Sequence, residues 1–198
     1  SSIKHFPLPS TLRQLSINEA QPVGGIDFSW LTRLTALQLS GWSCSGFSSL
    51  PRSLLTLRIV RPICYHLPSC ILQCYALQNI TIIGDQLEDE IFDFSPFDSP
   101  EAWSRHLTCL KLEYLTLPCV PDTFPVSLRA LELRYIDYTD VDPTDDDFED
   151  ESLYMCNFQN IYRLTNLTHL LIKATTATAY VPDEISRLAR LEILDIGS

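Results

Sequence analysis

One spacing recurs along this chain and limits what it can become: an aliphatic residue at positions i, i+3 and i+5. It runs through Leu12-Leu15-Ile17, Leu34-Leu37-Leu39, Leu54-Leu57-Ile59 and Leu77-Ile80-Ile82. It continues through Leu107-Leu110-Leu112, Leu128-Leu131-Leu133, Leu167-Leu170-Ile172 and Leu191-Leu194-Ile196. Leucine (31 residues) and isoleucine (16) are abundant, so roughly two or three matches would arise by chance. Eight spaced copies are present, with overlapping alternative registers at Leu112 and Leu188. Their starts are 22, 20, 23, 30, 21, 39 and 24 residues apart. Self-similarity at a period of this size marks a stacked array, because one copy cannot bury its own apolar face. The last two aliphatic positions are two residues apart and so share one face of a strand. The spacing therefore predicts a parallel sheet with one strand per copy, returned by loops and short helical turns.

The wording of the copies resembles a known family. Val181-Pro182-Asp183-Glu184-Ile185, followed by Leu188, Leu191, Leu194 and Ile196, resembles the longer form of repeat in plant leucine-rich repeat proteins. Ile161, Leu164, Leu167, Leu170 and Ile172 keep that spacing, and Leu31, Leu34, Leu37 and Leu39 keep it in shorter form. A second flavour reads Leu8-Pro9-Ser10-Thr11-Leu12, Leu50-Pro51-Arg52-Ser53-Leu54 and Phe124-Pro125-Val126-Ser127-Leu128. That Pro-x-Ser-Leu form is similar to irregular repeats of plant intracellular immune receptors and of several protist proteins. The resemblance implies an α/β leucine-rich repeat solenoid of about eight irregular repeats, curved, with the sheet concave and short helices or loops convex. It covers nearly all of residues 1–198, which are expected to form a single array. The family's usual Asn or Cys three residues past the strand is missing, since Ala20, Trp42, Pro62, Asp85, Leu115, Ile136 and Thr175 stand there. With Ser1 at the start and no polar cap after Ile196, the array is expected to belong to a longer protein.

Charge divides the chain. The formal net charge is −11, which disfavours nucleic acid as a partner, since phosphates need a basic surface. The two widest gaps hold the acid. Residues 85–101 carry seven acidic side chains and residues 137–151 carry nine, with no base in either. Outside them, 14 bases face nine acids, so the repeats themselves are mildly basic. Phe92, Phe94, Phe97, Tyr138, Phe148 and Tyr154 stand among these acids. The insertions read either as solvated loops or, with the aromatics exposed, as a docking surface for a basic partner. Asp140, Asp142, Asp145, Asp147 and Glu149 imitate the start of a calcium loop, but the glycine such a loop needs at its sixth position is absent.

Chemistry finds little purchase. Cys64, His66, Cys70 and Cys74 are metal-ligand types, yet the paired two-residue spacing of a zinc site is missing, and small buried residues explain them more simply. Gly41 and Gly46 imitate a phosphate loop, with Phe47 where the lysine must stand. His5, His106 and His169 have no partner set, and no nucleophile elbow or dinucleotide pattern occurs. The expectation is no enzyme, no cofactor and no metal. No apolar run approaches the ~18 residues of a membrane span. Seven scattered cysteines, at 44, 64, 70, 74, 109, 119 and 156, favour reduced thiols and a cytoplasmic setting. Two sequons, Asn79-Ile80-Thr81 and Asn166-Leu167-Thr168, pull weakly the other way.

What remains is recognition. The alternation places Arg58, Lys111, Glu113, Glu132, Arg134, His169, Leu171 and Lys173 outward on the strands. A mixed-charge, partly apolar face suits a protein or peptide partner. The leading expectation is a non-catalytic recognition scaffold within a larger intracellular receptor or adaptor. The alternatives are a structural subunit of a large assembly, or a targeting module whose catalytic domain lies outside this segment.

Overall fold

Each template begins with a closed turn. The amide of its first leucine donates to the carbonyl three residues earlier, as from Leu34 to Leu31, Leu54 to Pro51, Leu128 to Pro125 and Leu191 to Leu188, at 2.9–3.1 Å. Proline suits the acceptor end of this turn, because its carbonyl is its only backbone hydrogen-bonding group. In the computed structural model, residues 8–18, 26–41, 47–63, 66–85, 91–94, 103–117, 121, 123–138, 160–173 and 183–197 are described, Phe47 and Tyr138 by backbone alone.

The strands that follow the turns are β1 (Gln14–Asn18), β3 (Ala36–Ser40), β5 (Thr56–Val60), β6 (Asn79–Ile83), β7 (Cys109–Leu117), β8 (Ala130–Tyr138), β9 (His169–Lys173) and β10 (Ile193–Gly197). They form one eight-stranded sheet in chain order, parallel throughout. Corresponding template positions pair across it, so Leu37, Leu57, Ile80, Leu110, Leu131 and Leu170 fall in one row. That row is buried, as are Leu39, Ile59, Ile82, Leu112, Leu133 and Ile172 in the next. Two short strands, β2 (Ile26–Asp27) and β4 (Phe47–Ser49), pair in a second parallel sheet within the return segments. The described return segments contain 3-10 turns at Ser69–Gln73, Ile161–Arg163 and Asp183–Arg187, and no α-helix. Among the described residues, no helix is long and apolar enough to cross a membrane.

Neighbouring copies are joined by doubled acceptors. Just before each strand of this sheet except β10, one carbonyl receives two amides from the next copy: Arg13 from Thr35 and Ala36, Thr108 from Arg129 and Ala130, Thr168 from Glu192 and Ile193. The series crosses the 39-residue gap without a break, Arg129 receiving Thr168 and His169 at 2.8 and 2.9 Å. Hydroxyls reinforce it. Ser53 donates to the Leu34 carbonyl and Ser127 to that of Leu107, both at 2.7 Å, which accounts for serine in the Pro-x-Ser-Leu form. Ser104 reaches Tyr75, and Thr35 and Thr168 bond to the same carbonyls as their own amides. The absent asparagine ladder thus has a hydroxyl counterpart where the strands begin.

Beyond the fifth strand residue the backbone turns left-handed, with φ of 64° at Gly41, 47° at Arg61, 54° at Tyr114 and 53° at Tyr135. In β7 and β8 the strand continues past this kink, with Leu115 pairing Ile136 and Thr116 pairing Asp137. The overlapping register at Leu112 is therefore used as well: Leu115 and Leu117 are buried beyond the kink.

The aromatic half of one expectation is corrected. Phe92 and Phe94 are buried rather than exposed, because the Phe92 amide donates to the Thr116 carbonyl and draws 91–94 against the extended β7. There they meet Trp103 and Phe124, with ring centroids 5.1–6.2 Å apart. Such tilted and edge-to-face pairs are the favoured aromatic arrangement. Phe97, Phe148, Tyr154, Trp42, the calcium-like run 140–149 and most of both acidic insertions lie outside the described residues.

Candidate partner-binding surface

The outward residues form three columns running across the strands. The central column places Arg58 beside Thr81, then Lys111, Glu132, Leu171 and Asp195. The next places Glu113, Arg134 and Lys173 side by side. Opposite charges directly across neighbouring strands attract, and these do. Lys111 Nζ bonds to Glu132, and Arg134 reaches Glu132 at 3.3 Å and Glu113 at 3.6 Å. At 3.6 Å the Arg134 Nε contact with Glu113 is an ion pair and too long for a hydrogen bond. A separate pair joins Lys173 to Asp195 at 2.8 Å.

Five of the eight predicted residues thus fall into two ion-paired groups, and a sixth stands beside them. Lys111, Glu113, Glu132 and Arg134 make one network, Lys173 belongs to the second pair, and Leu171 stands half-buried between Glu132 and Asp195. Arg58 is exposed and has no ion-pair partner among the described residues. His169 is exposed at the strand start, its Nδ1 2.7 Å from the Thr168 hydroxyl. Exposed pairs of this kind contribute about 0–1 kcal/mol each, so their main effect is to fix side-chain direction.

Burial explains the thiols. Cys70 and Cys74 are free, and both thiols are pushed up to about 12, by burial first and at Cys70 also by the neighbouring Cys74. Cys109, on the outward side of β7, is also raised by burial, with Lys111 pulling down and Glu132 pushing up. Thiols held protonated in this way are poor nucleophiles and poor ligands. Cys64 lies outside the described residues, and among those described no three metal-ligating side chains converge. Gly41 serves the strand exit, its amide donating to the Val60 carbonyl at 2.9 Å. Both sequon asparagines make bonds between copies: Asn79 donates to Thr56, and Asn166 donates to the Val126 carbonyl while accepting from Arg190.

One feature escaped sequence reasoning. Tyr114 and Tyr135, at the strand exits of β7 and β8, stack with centroids 4.6 Å apart and planes 6° from parallel. Their left-handed backbone costs about 1–2 kcal/mol at a residue other than glycine. The signal lay in Leu112-Glu113-Tyr114-Leu115 and Leu133-Arg134-Tyr135-Ile136, where two non-aliphatic residues interrupt the alternation at the same point in successive copies.

The in-register strands, closed turns and doubled acceptors define the class: the fold is a leucine-rich repeat solenoid. The leucine-rich repeat domain of the type III effector XopL is similar to it, with a TM-score of 0.52 over 92% of this chain and 68% of that one. Sequence identity is 16%, so the likeness concerns the fold. No family model and no curated protein sequence matches the chain.

Proposed function

We propose that this solenoid is a non-catalytic recognition scaffold, taking a protein or peptide partner on the outward face of its sheet between Arg58 and Lys173. The fold itself suggests a protein-interaction scaffold and is typically not a catalytic one. The observation that carries the reading is the Lys111–Glu132–Arg134–Glu113 network, which orders four charged side chains across adjacent strands before any partner arrives. Pre-ordered charge lowers the entropy lost on binding and sets orientation and association rate. The half-buried Val60, Ile83 and Leu171 supply apolar area beside it. In this reading the chain works in the cytoplasm as part of a larger receptor or adaptor.

A second reading has its own support. Ile193 and Leu194 on β10 are exposed large apolar residues, which favours packing of that end into a larger assembly. A photo-crosslinking residue placed at Thr81, and separately at Ile193, separates the two. Capture of the natural partner from Thr81, together with about tenfold weaker binding on reversing Lys111 and Arg134 to Glu, supports recognition by the face. Capture from Ile193 alone, with the reversal harmless, replaces it with the assembly reading.

A further inference from the structure

We infer that the Tyr114–Tyr135 stack is a docking platform for an arginine side chain of a partner polypeptide, on the strand-exit rim and independent of the charged columns. The two rings occupy the same position in successive copies, and their 4.6 Å spacing is close to the ~4.8 Å between paired strands. They therefore stack along the direction in which strands succeed one another, and their outer faces look toward the exits of β6 and β9. On the β6 side that exit is Gly84. A Cβ there would stand 1.9 Å from the Tyr114 carbonyl oxygen, so this position admits glycine only. No exit side chain from β6 can cover the Tyr114 ring. At the other end of the stack, Tyr135 is 46% exposed.

The core does not claim these rings. Leu115 and Ile136, the next residues, are buried, whereas beyond the left-handed kink Tyr135 is exposed and Tyr114 half-buried. Charge identifies what the platform suits. Asp85, next to Gly84, and Asp137, two residues after Tyr135, are exposed and have no ion-pair partner among the described residues. Arg134 beside the stack is held by Glu132 and Glu113. Arg61, the exit residue of β5, stands beyond Gly84 and is the one opposing charge in that column. A partly exposed aromatic stack flanked by free carboxylates is the arrangement that a planar, weakly hydrated guanidinium fits best. The chain's net charge of −11 brings basic segments toward it. The aromatic component sought among the acidic insertions is thus supplied by the sheet.

The probe is a short acetylated peptide with arginines separated by glycine, compared with its citrulline and lysine twins in about 0.15 M salt. Titrated into the whole chain, the arginine peptide is expected to bind at least about fivefold tighter than either twin. Tyr135→Leu is expected to lose that advantage, and Asp137→Asn part of it. Equal binding of the arginine and citrulline peptides overturns the proposal. So does an equally tight lysine peptide, or an arginine preference that survives Tyr135→Leu, because each reduces the effect to general attraction by an acidic chain. Should Tyr135→Leu fail to fold, the ring proton resonances of Tyr135, assigned from a Tyr135→Phe spectrum, give the second readout. Their shift on adding the arginine peptide alone supports the platform, and their indifference ends it.

Discussion

Strands β8 and β10 carry the same template and meet opposite fates. In β8, Leu131 and Leu133 have no exposed surface. In β10, Leu194 at the equivalent position is 45% exposed, and Ile196 is only partly buried. Nothing in the residues themselves accounts for this. Leu131 has a strand on either side of it, whereas among the described residues Leu194 has only β9 beside it. A core position in a stacked array is therefore made by its neighbours, and its energetic weight depends on where in the stack it falls.

Substitution provides the most direct way to break that contrast. Leu131→Ala is expected to cost about 2–5 kcal/mol through lost burial and a residual cavity, while Leu194→Ala costs less than about 1 kcal/mol. Similar melting temperatures for the two variants would refute the neighbour argument. A second contrast concerns glycine. Gly84→Ala drives a methyl group into the Tyr114 backbone and is expected to destabilise by about 1–3 kcal/mol, whereas Gly197, with nothing within 4 Å of its Cβ position, tolerates alanine. Chemical denaturation of both variants checks this. The hydroxyl bonds sharpen the comparison at the other end of the sheet. Ser127→Ala removes a bond to the preceding copy and is expected to cost about 1 kcal/mol, and Thr11→Ala, at the equivalent position before β1 and with no earlier strand among the described residues, close to nothing. The smallest effect is expected inside the widest gap. Replacing residues 141–150 by a short Gly-Ser linker should leave melting and circular dichroism nearly unchanged, because the acceptors at Arg129 already hold β9 in register. A cooperative loss of structure would show that this segment supports the array.

The parts of the fold legible in the sequence were those governed by local rules. A turn three residues long and a two-residue alternation leave marks at fixed spacing, so all eight strands followed from the position of the leucines. The charged residues of the outward face were legible as a set, yet their pairing depends on which residues oppose each other across strands, as Lys111 and Glu132 do. Phe92 and Phe94 depart from expectation because the acids around them imply solvent, whereas one backbone bond to Thr116 decides their burial. The tyrosine stack was hidden for a related reason. Each ring occupies an unfavourable backbone position that only the neighbouring strand makes intelligible.

The doubled acceptors carry a consequence for how the chain assembles. Every closing turn spans three residues, and every link reaches only the adjacent copy, so ordering can start at any turn and advance in either direction like a zip. The steps are not equal in length. Crossing from β8 to β9 spans 39 residues where the preceding step, from β7 to β8, spans 21, which raises the closure entropy by only about 0.5 kcal/mol. Long-range searches slow folding more than they weaken the folded state. By that measure the link from β8 to β9 closes about two- to threefold more slowly than the link before it, and the finished array is almost unaffected by the difference.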